Sequence, residues 1–99
     1  MKNLLPVEIS KKAMHEIHAI MKTKNIPEHY ALRIGIKGGG CSGVSYMLGF
    51  DEGSESDDEY LYDGLKVIID KKHMMYLVGK SLDFHEEKHE MGFVFLEND

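Results

Sequence analysis

The 99-residue sequence predicts a small β-rich α+β domain, with two helices packed on a mixed or mostly antiparallel sheet. Three observations carry this. Apolar residues recur at helical spacing in one stretch near the start and one short stretch late in the chain. Elsewhere they alternate with polar residues at the period of a half-buried strand. No long helical crossover separates consecutive strands, which argues against a doubly wound parallel sheet. The length suits a single domain over residues 1–99, and 42% apolar with 29% charged residues suits a packed core.

Ser10 is placed to cap a first helix whose apolar positions are Ala13, Met14, Ile17, Ile20 and Met21. His15, His18 and Lys22 fall on its other face, and Lys24-Asn25-Ile26-Pro27 ends it. Residues 31–37 (ALRIGIK) alternate, with Leu32, Ile34 and Ile36 on one face and Arg33 and Lys37 on the other. After a glycine run, Val44, Tyr46, Leu48 and Phe50 mark a second strand. Residues 51–59 carry six carboxylates and read as a solvated loop. Tyr60-Leu61-Tyr62 and Leu65–Ile69 flank Asp63-Gly64, the pattern of a tight hairpin. Asp70 caps a short helix, KKHMMYLV, with Met74, Leu77 and Val78 inward, and Gly79 ends it. Met14, Met21, Met74 and Met75 read as packing. Leu82 with Phe84, and Phe93 with Phe95, mark two last strands, and 85–90 (HEEKHE) reads as a charged turn between them.

Net charge is −5 and the lysines are scattered, so the electrostatic footprint of nucleic-acid binding is missing. No apolar run approaches the ~20 residues that span a bilayer. The opening MKNLLPVEIS lacks the pattern of a secretory signal, which makes a cytoplasmic location the expectation.

The chemistry concentrates at Gly38-Gly39-Gly40-Cys41-Ser42-Gly43, which holds the one cysteine of the 99 residues. A single cysteine excludes an intramolecular disulfide and a single-chain Cys₄ centre. No Gly-Lys-Ser/Thr follows, so a phosphate loop is excluded. Several readings stay open: a tight turn with a small buried thiol, a backbone anion nest, a nucleophile served by one of six histidines, or a soft thiolate ligand. In the last, flanking glycines such as Gly40 and Gly43 give clearance for a bulky inorganic centre, and Cys41 meets its symmetry mate across a dimer axis. His85, His89 and Glu90 are candidate further ligands, although their order is not the zincin pattern. His15 and His18 share a helix face without a third ligand nearby and read as a solvated face.

Residues 32–52, LRIGIKGGGCSGVSYMLGFDE, resemble the A-type iron–sulfur carriers, the HesB/IscA-like family. The opening ISKKAMHEIHAIM, then LKVIID at 65–70, LDF at 82–84 and GFVF at 92–95 resemble the family's first helix, middle strand and late strands in order. The resemblance implies a dimeric or tetrameric protein that binds iron or an iron–sulfur cluster and exchanges it with cluster donors or apo-protein acceptors. It implies no catalytic turnover. It assigns the first of three family cysteines to Cys41; the family's later Cys-Gly-Cys has no counterpart in these 99 residues. Two chains then supply two thiolates, short of the four ligands a cluster normally takes, leaving His85, His89, Glu90, an external thiol or a partner to complete the set. The alternatives are a cluster-free interaction or regulatory module docking through the acidic loop 51–59, and a divalent-metal site of carboxylates and histidines without the thiolate.

Overall fold

The computed structural model describes residues 5–38, 43–87 and 91–97. In chain order the elements are β1 (Glu8–Ile9), α1 (Lys11–Thr23), β2 (Ala31–Gly38), β3 (Val44–Asp51), β4 (Asp57–Tyr62), β5 (Leu65–Asp70), a 3₁₀ turn (Lys71–His73), α2 (Met74–Leu77), β6 (Lys80–Glu86) and β7 (Met91–Glu97). This is the expected α+β class; the described residues form two helices and seven strands. The strands form two mixed sheets, ordered β1-β6-β7 and β3-β2-β5-β4. The chain forms two compact units, one of Pro6–Pro27 with Gly79–Asp99, the other of Glu28–Val78 with Met1–Leu5.

In the first unit, Ser10 caps α1 as its sequence suggests. Its Oγ accepts from the Ala13 amide at 3.1 Å and donates to Asp83 Oδ1 at 2.7 Å. That second bond is the chief reason the Asp83 carboxyl lies below the ordinary carboxylate range. Ala13, Met14 and Ile17 are buried, while Ile20 and Met21 are half-buried because the stripe turns outward over the last turn. The helix ends with Asn25 at φ 53°: the Ile26 amide reaches back to the Met21 carbonyl, and the Asn25 amide to that of Lys22. This is a Schellman ending, with asparagine in the left-handed position. β6 pairs antiparallel with β7 from Lys80↔Glu97 to Glu86↔Met91, and Phe84 meets its cross-strand partner Phe93 edge-to-face at 5.0 Å. β1, two residues long and without a sequence signal, pairs parallel with β6. The expected charged turn is shorter than read from sequence, since His85 and Glu86 belong to β6.

In the second unit, β2 and β5 are the central strands and run parallel, pairing Leu32 with Val67 and Arg33 with Ile68. Leu32, Ile34 and Ile36 are buried, as their alternation predicts. Val67, Ile68 and Ile69 are buried in succession, the unbroken apolar run of a strand covered on both faces. Full burial of each such side chain is worth about 1.5–3 kcal/mol. β4 and β5 form the expected hairpin, with Asp63 at φ 49° and Gly64 at φ 83°, the pairing of a type I′ turn. β4 starts at Asp57 rather than Tyr60. α2 is a single turn, and only Leu77 of the three expected inward residues is buried; Met74 is half-buried and Val78 exposed, as is Met75. One turn presents a narrow face, so most of its apolar side chains cannot point inward together.

The acidic run is the main correction. Asp51 ends β3 and Asp57 begins β4, so the connection between strands is 52–56. The Asp57 side chain is fully buried. Arg33 Nη1 and Nη2 donate to its two oxygens at 2.8 and 2.7 Å, and Arg33 Nε donates to Asp51 Oδ2 at 3.0 Å. The Ser54 amide and hydroxyl add bonds to Asp57 Oδ2. Two of the six carboxylates therefore hold the fold together, which shrinks the free acidic surface a docking loop would need.

Candidate functional site

The predicted ligand loop is placed by β2 and β3. They pair in register from Ala31↔Asp51 to Gly38↔Val44, so 39–43 is the connection between them. Glycine at both described ends of that connection has a conformational cause. Gly38 has φ +90° and Gly43 φ +82°, backbone that a side chain strains to adopt. A Cβ on Gly38 would also stand 3.4 Å from the Gly43 carbonyl oxygen, whereas one on Gly43 would meet nothing within 4 Å. Gly43 is exposed. Gly40 and Cys41 lie outside the described residues.

Of the other expected ligands, His85 stands on β6 opposite Gly92, with its imidazole half exposed and Nε2 3.7 Å from Asp83 Oδ2. His89 and Glu90 lie outside the described residues, within the 87–90 connection of β6 and β7. His15 and His18 are exposed on α1. Among the described residues no three or more His, Cys, Asp or Glu side chains are grouped to hold a metal ion. Those residues therefore hold no preformed metal cage.

The strongest electrostatic contact among the described residues, the Arg33 clamp, lies at the end of β2 and β3 away from the 39–43 connection. Hydrogen bonding from Arg33 outweighs burial and holds the Asp57 carboxyl down at about 2, and the same contact raises Arg33 further above its ordinary value. Tyr60 is buried, its hydroxyl donates to Met74 Sδ at 3.7 Å, and burial pushes that hydroxyl up. Sequence reasoning passed over His73. Its Nδ1 accepts from the Ile36 amide at 3.4 Å, near the end of β2 that leads into the loop. Nothing in its sequence context, Lys-Lys-His-Met, marks it; only the glycine at position 35, mid-strand, hints at a close approach.

Among the described residues no helix is long and apolar enough to cross a membrane. Residues 5–98 match the family model described as iron-sulphur cluster biosynthesis. The mouse protein named iron-sulfur cluster assembly 1 homolog, mitochondrial, is 36% identical over 88 residues, which cover 88% of this chain and 67% of that protein. The crystal structure of Escherichia coli SufA, involved in biosynthesis of iron-sulfur clusters, superposes with TM-score 0.75 at 25% identity, over 92% of this chain and 79% of that one. A crystal structure of IscA with a [2Fe-2S] cluster shares the fold, with TM-score 0.71 at 22% identity, over 92% of this chain and 81% of that one. The family is one of cluster assembly rather than of classical enzymes. With its α+β fold and its ordered motifs, the chain belongs to the iron–sulfur cluster biosynthesis family, that of the A-type carriers.

Proposed function

We propose that this protein is a scaffold or carrier that binds iron or an iron–sulfur cluster as cargo through Cys41, with the cargo shared between two chains of a homodimer. The observation that supports it most is the Gly-Cys-Ser-Gly connection, bracketed by positive-φ Gly38 and Gly43, in a chain of the cluster-biosynthesis family. A thiolate is the soft ligand such cargo takes, and the glycines, Gly40 and Gly43 included, leave room for it.

The donor count shapes the proposal. The 99 residues hold one cysteine, so a dimer brings two thiolates to a centre that normally takes four protein ligands. His85, His89 and Glu90 are the candidates within the chain; an external thiol or a cysteine of the acceptor protein would serve equally. A half-supplied ligand set holds its cargo weakly, which suits transfer between a donor and an apo-protein. We read residues 1–99 as one domain of this family. The cytoplasmic location expected from the sequence belongs to the same proposal, although the mouse relative is mitochondrial by name.

The test is iron and acid-labile sulfide per chain, with the visible spectrum, after anaerobic reconstitution of wild type and Cys41→Ser. Iron and sulfide in wild type alone, at about one cluster per dimer, is the expected result. Equal loading of both proteins, or of neither, would refute the role of Cys41. Zinc or iron bound equally by Cys41→Ser and lost on replacing His85 and His89 would favour a site without the thiolate.

A further inference from the structure

β2 outruns its parallel partner. Its ladder with β5 pairs Leu32 with Val67 and Arg33 with Ile68, but β2 continues to Gly38, while β5 ends at Asp70 and the chain turns into the 3₁₀ turn Lys71–His73. Strand amides past such a ladder need another acceptor or water. The turn supplies one. Asp70 caps it by accepting from the Lys72 amide at 3.1 Å, and this brings His73 back over β2, where its Nδ1 accepts from the Ile36 amide. The accepting nitrogen carries no proton, so the ring proton sits on Nε2.

The neighbouring residue makes room for this contact. A Cβ on Gly35 would lie 3.0 Å from His73 Nδ1, tight enough to push the ring back by a few tenths of an ångström, and 3.6 Å from its Cε1, an ordinary contact. Met47 Cε, from the cross-strand partner of Gly35, would lie 3.6 Å from the same Cβ. Gly35 is buried beneath the two side chains. A glycine mid-strand weakens a strand, and here its use is to admit the imidazole.

We propose that His73 is a positioning residue for the 39–43 connection. Its imidazole supplies the acceptor that β2 lacks once β5 has ended at Asp70 and holds the stretch of β2 leading into the 39–43 connection. The functional consequence rests on the reading of Cys41 as ligand; the contact itself does not. Because a metal ligand must offer a free lone pair and Nδ1 is engaged, His73 acts through β2 rather than joining the ligand set.

The experiment compares wild type with His73→Leu, His73→Asn and Gly35→Ala, all as the full chain, with far-UV circular dichroism to verify folding. Leucine keeps bulk and removes the acceptor. Asparagine places an oxygen near the position of Nδ1. Alanine at 35 displaces the ring without touching it chemically. The first readout is amide hydrogen exchange at Ile36 by NMR; the second is the rate of Cys41 modification by a neutral disulfide reagent. His73→Leu and Gly35→Ala should each speed Ile36 exchange by about fivefold or more, the factor for losing a typical net hydrogen bond. The same two should change the Cys41 rate by about twofold or more, and His73→Asn should restore both readouts toward wild type. Unchanged Ile36 exchange in His73→Leu would overturn the contact. Faster exchange with an unchanged Cys41 rate, or failure of His73→Asn to rescue, would overturn the positioning role. Neither readout involves iron, so a wild type that binds no cargo would refute the proposed function without touching this assignment.

Discussion

Replacing Asp57 by asparagine removes one charge from an enclosed ion pair at almost constant volume. The wild-type carboxylate has no exposed side-chain surface and accepts from both terminal nitrogens of Arg33. Its pKa falls from 3.8 to about 2, chiefly through those bonds. At about 1.4 kcal/mol per pKa unit, that drop corresponds to about 2 kcal/mol of folding stability at neutral pH. Breaking a fully buried pair costs about 3–5 kcal/mol, but Arg33 is one-fifth exposed and keeps Asp51, so the loss belongs at or below the lower end. We expect Asp57→Asn to lose about 2–3 kcal/mol at pH 7, or about 10–20 °C in melting temperature for a domain of this size. The assay is urea unfolding of the full chain by far-UV circular dichroism, from neutral pH into acid. A lowered folded-state pKa gives stability that is complete above 3.8 and lost as pH falls through about 2. Wild type and variant should therefore converge over that acid window. A difference below about 0.5 kcal/mol at pH 7, the scale of an ordinary surface substitution, would refute the reasoning. So would a difference that stays constant through the acid range.

Two further predictions concern the other unit. Ser10→Ala removes the α1 cap and should cost about 1 kcal/mol by urea unfolding. The same change deletes the bond that chiefly holds the Asp83 carboxyl down, so an NMR titration of Asp83 should show its pKa moving up. Leu82→Ala, at a fully buried β6 position, should cost about 2–5 kcal/mol in the same unfolding assay, the range for emptying a leucine-sized site.

Wherever local pattern and tertiary environment agreed, the sequence was a good guide. Ser10 and Asp70 cap their elements because a short polar side chain at those positions finds its own backbone amides within a few residues. Leu32, Ile34 and Ile36 fall inward because period-two alternation leaves one face to bury. The Asp63-Gly64 turn needs only its own dihedrals. The Gly-Cys-Ser-Gly motif placed the candidate site between two strands, and the register brackets it with Gly38 and Gly43. Where one residue's role depended on distant partners, the local signal misled. Asp57 looked like one more solvated acid, and its burial depends on Arg33, 24 positions away. Val78 and Met75 looked like packing, but α2 is a single turn and both are exposed.

The sequence by itself determined the class of fold, the order of its elements and the family, since these rest on short-range periodicity, turn chemistry and motifs read in order. Only the tertiary structure decided which strands pair, that β1 joins β6 in parallel, that Arg33 ties Asp51 to Asp57, and that His73 closes over Gly35. Each of those contacts joins residues far apart in the chain. A pattern within one segment cannot encode where a second segment will supply the missing acceptor or charge.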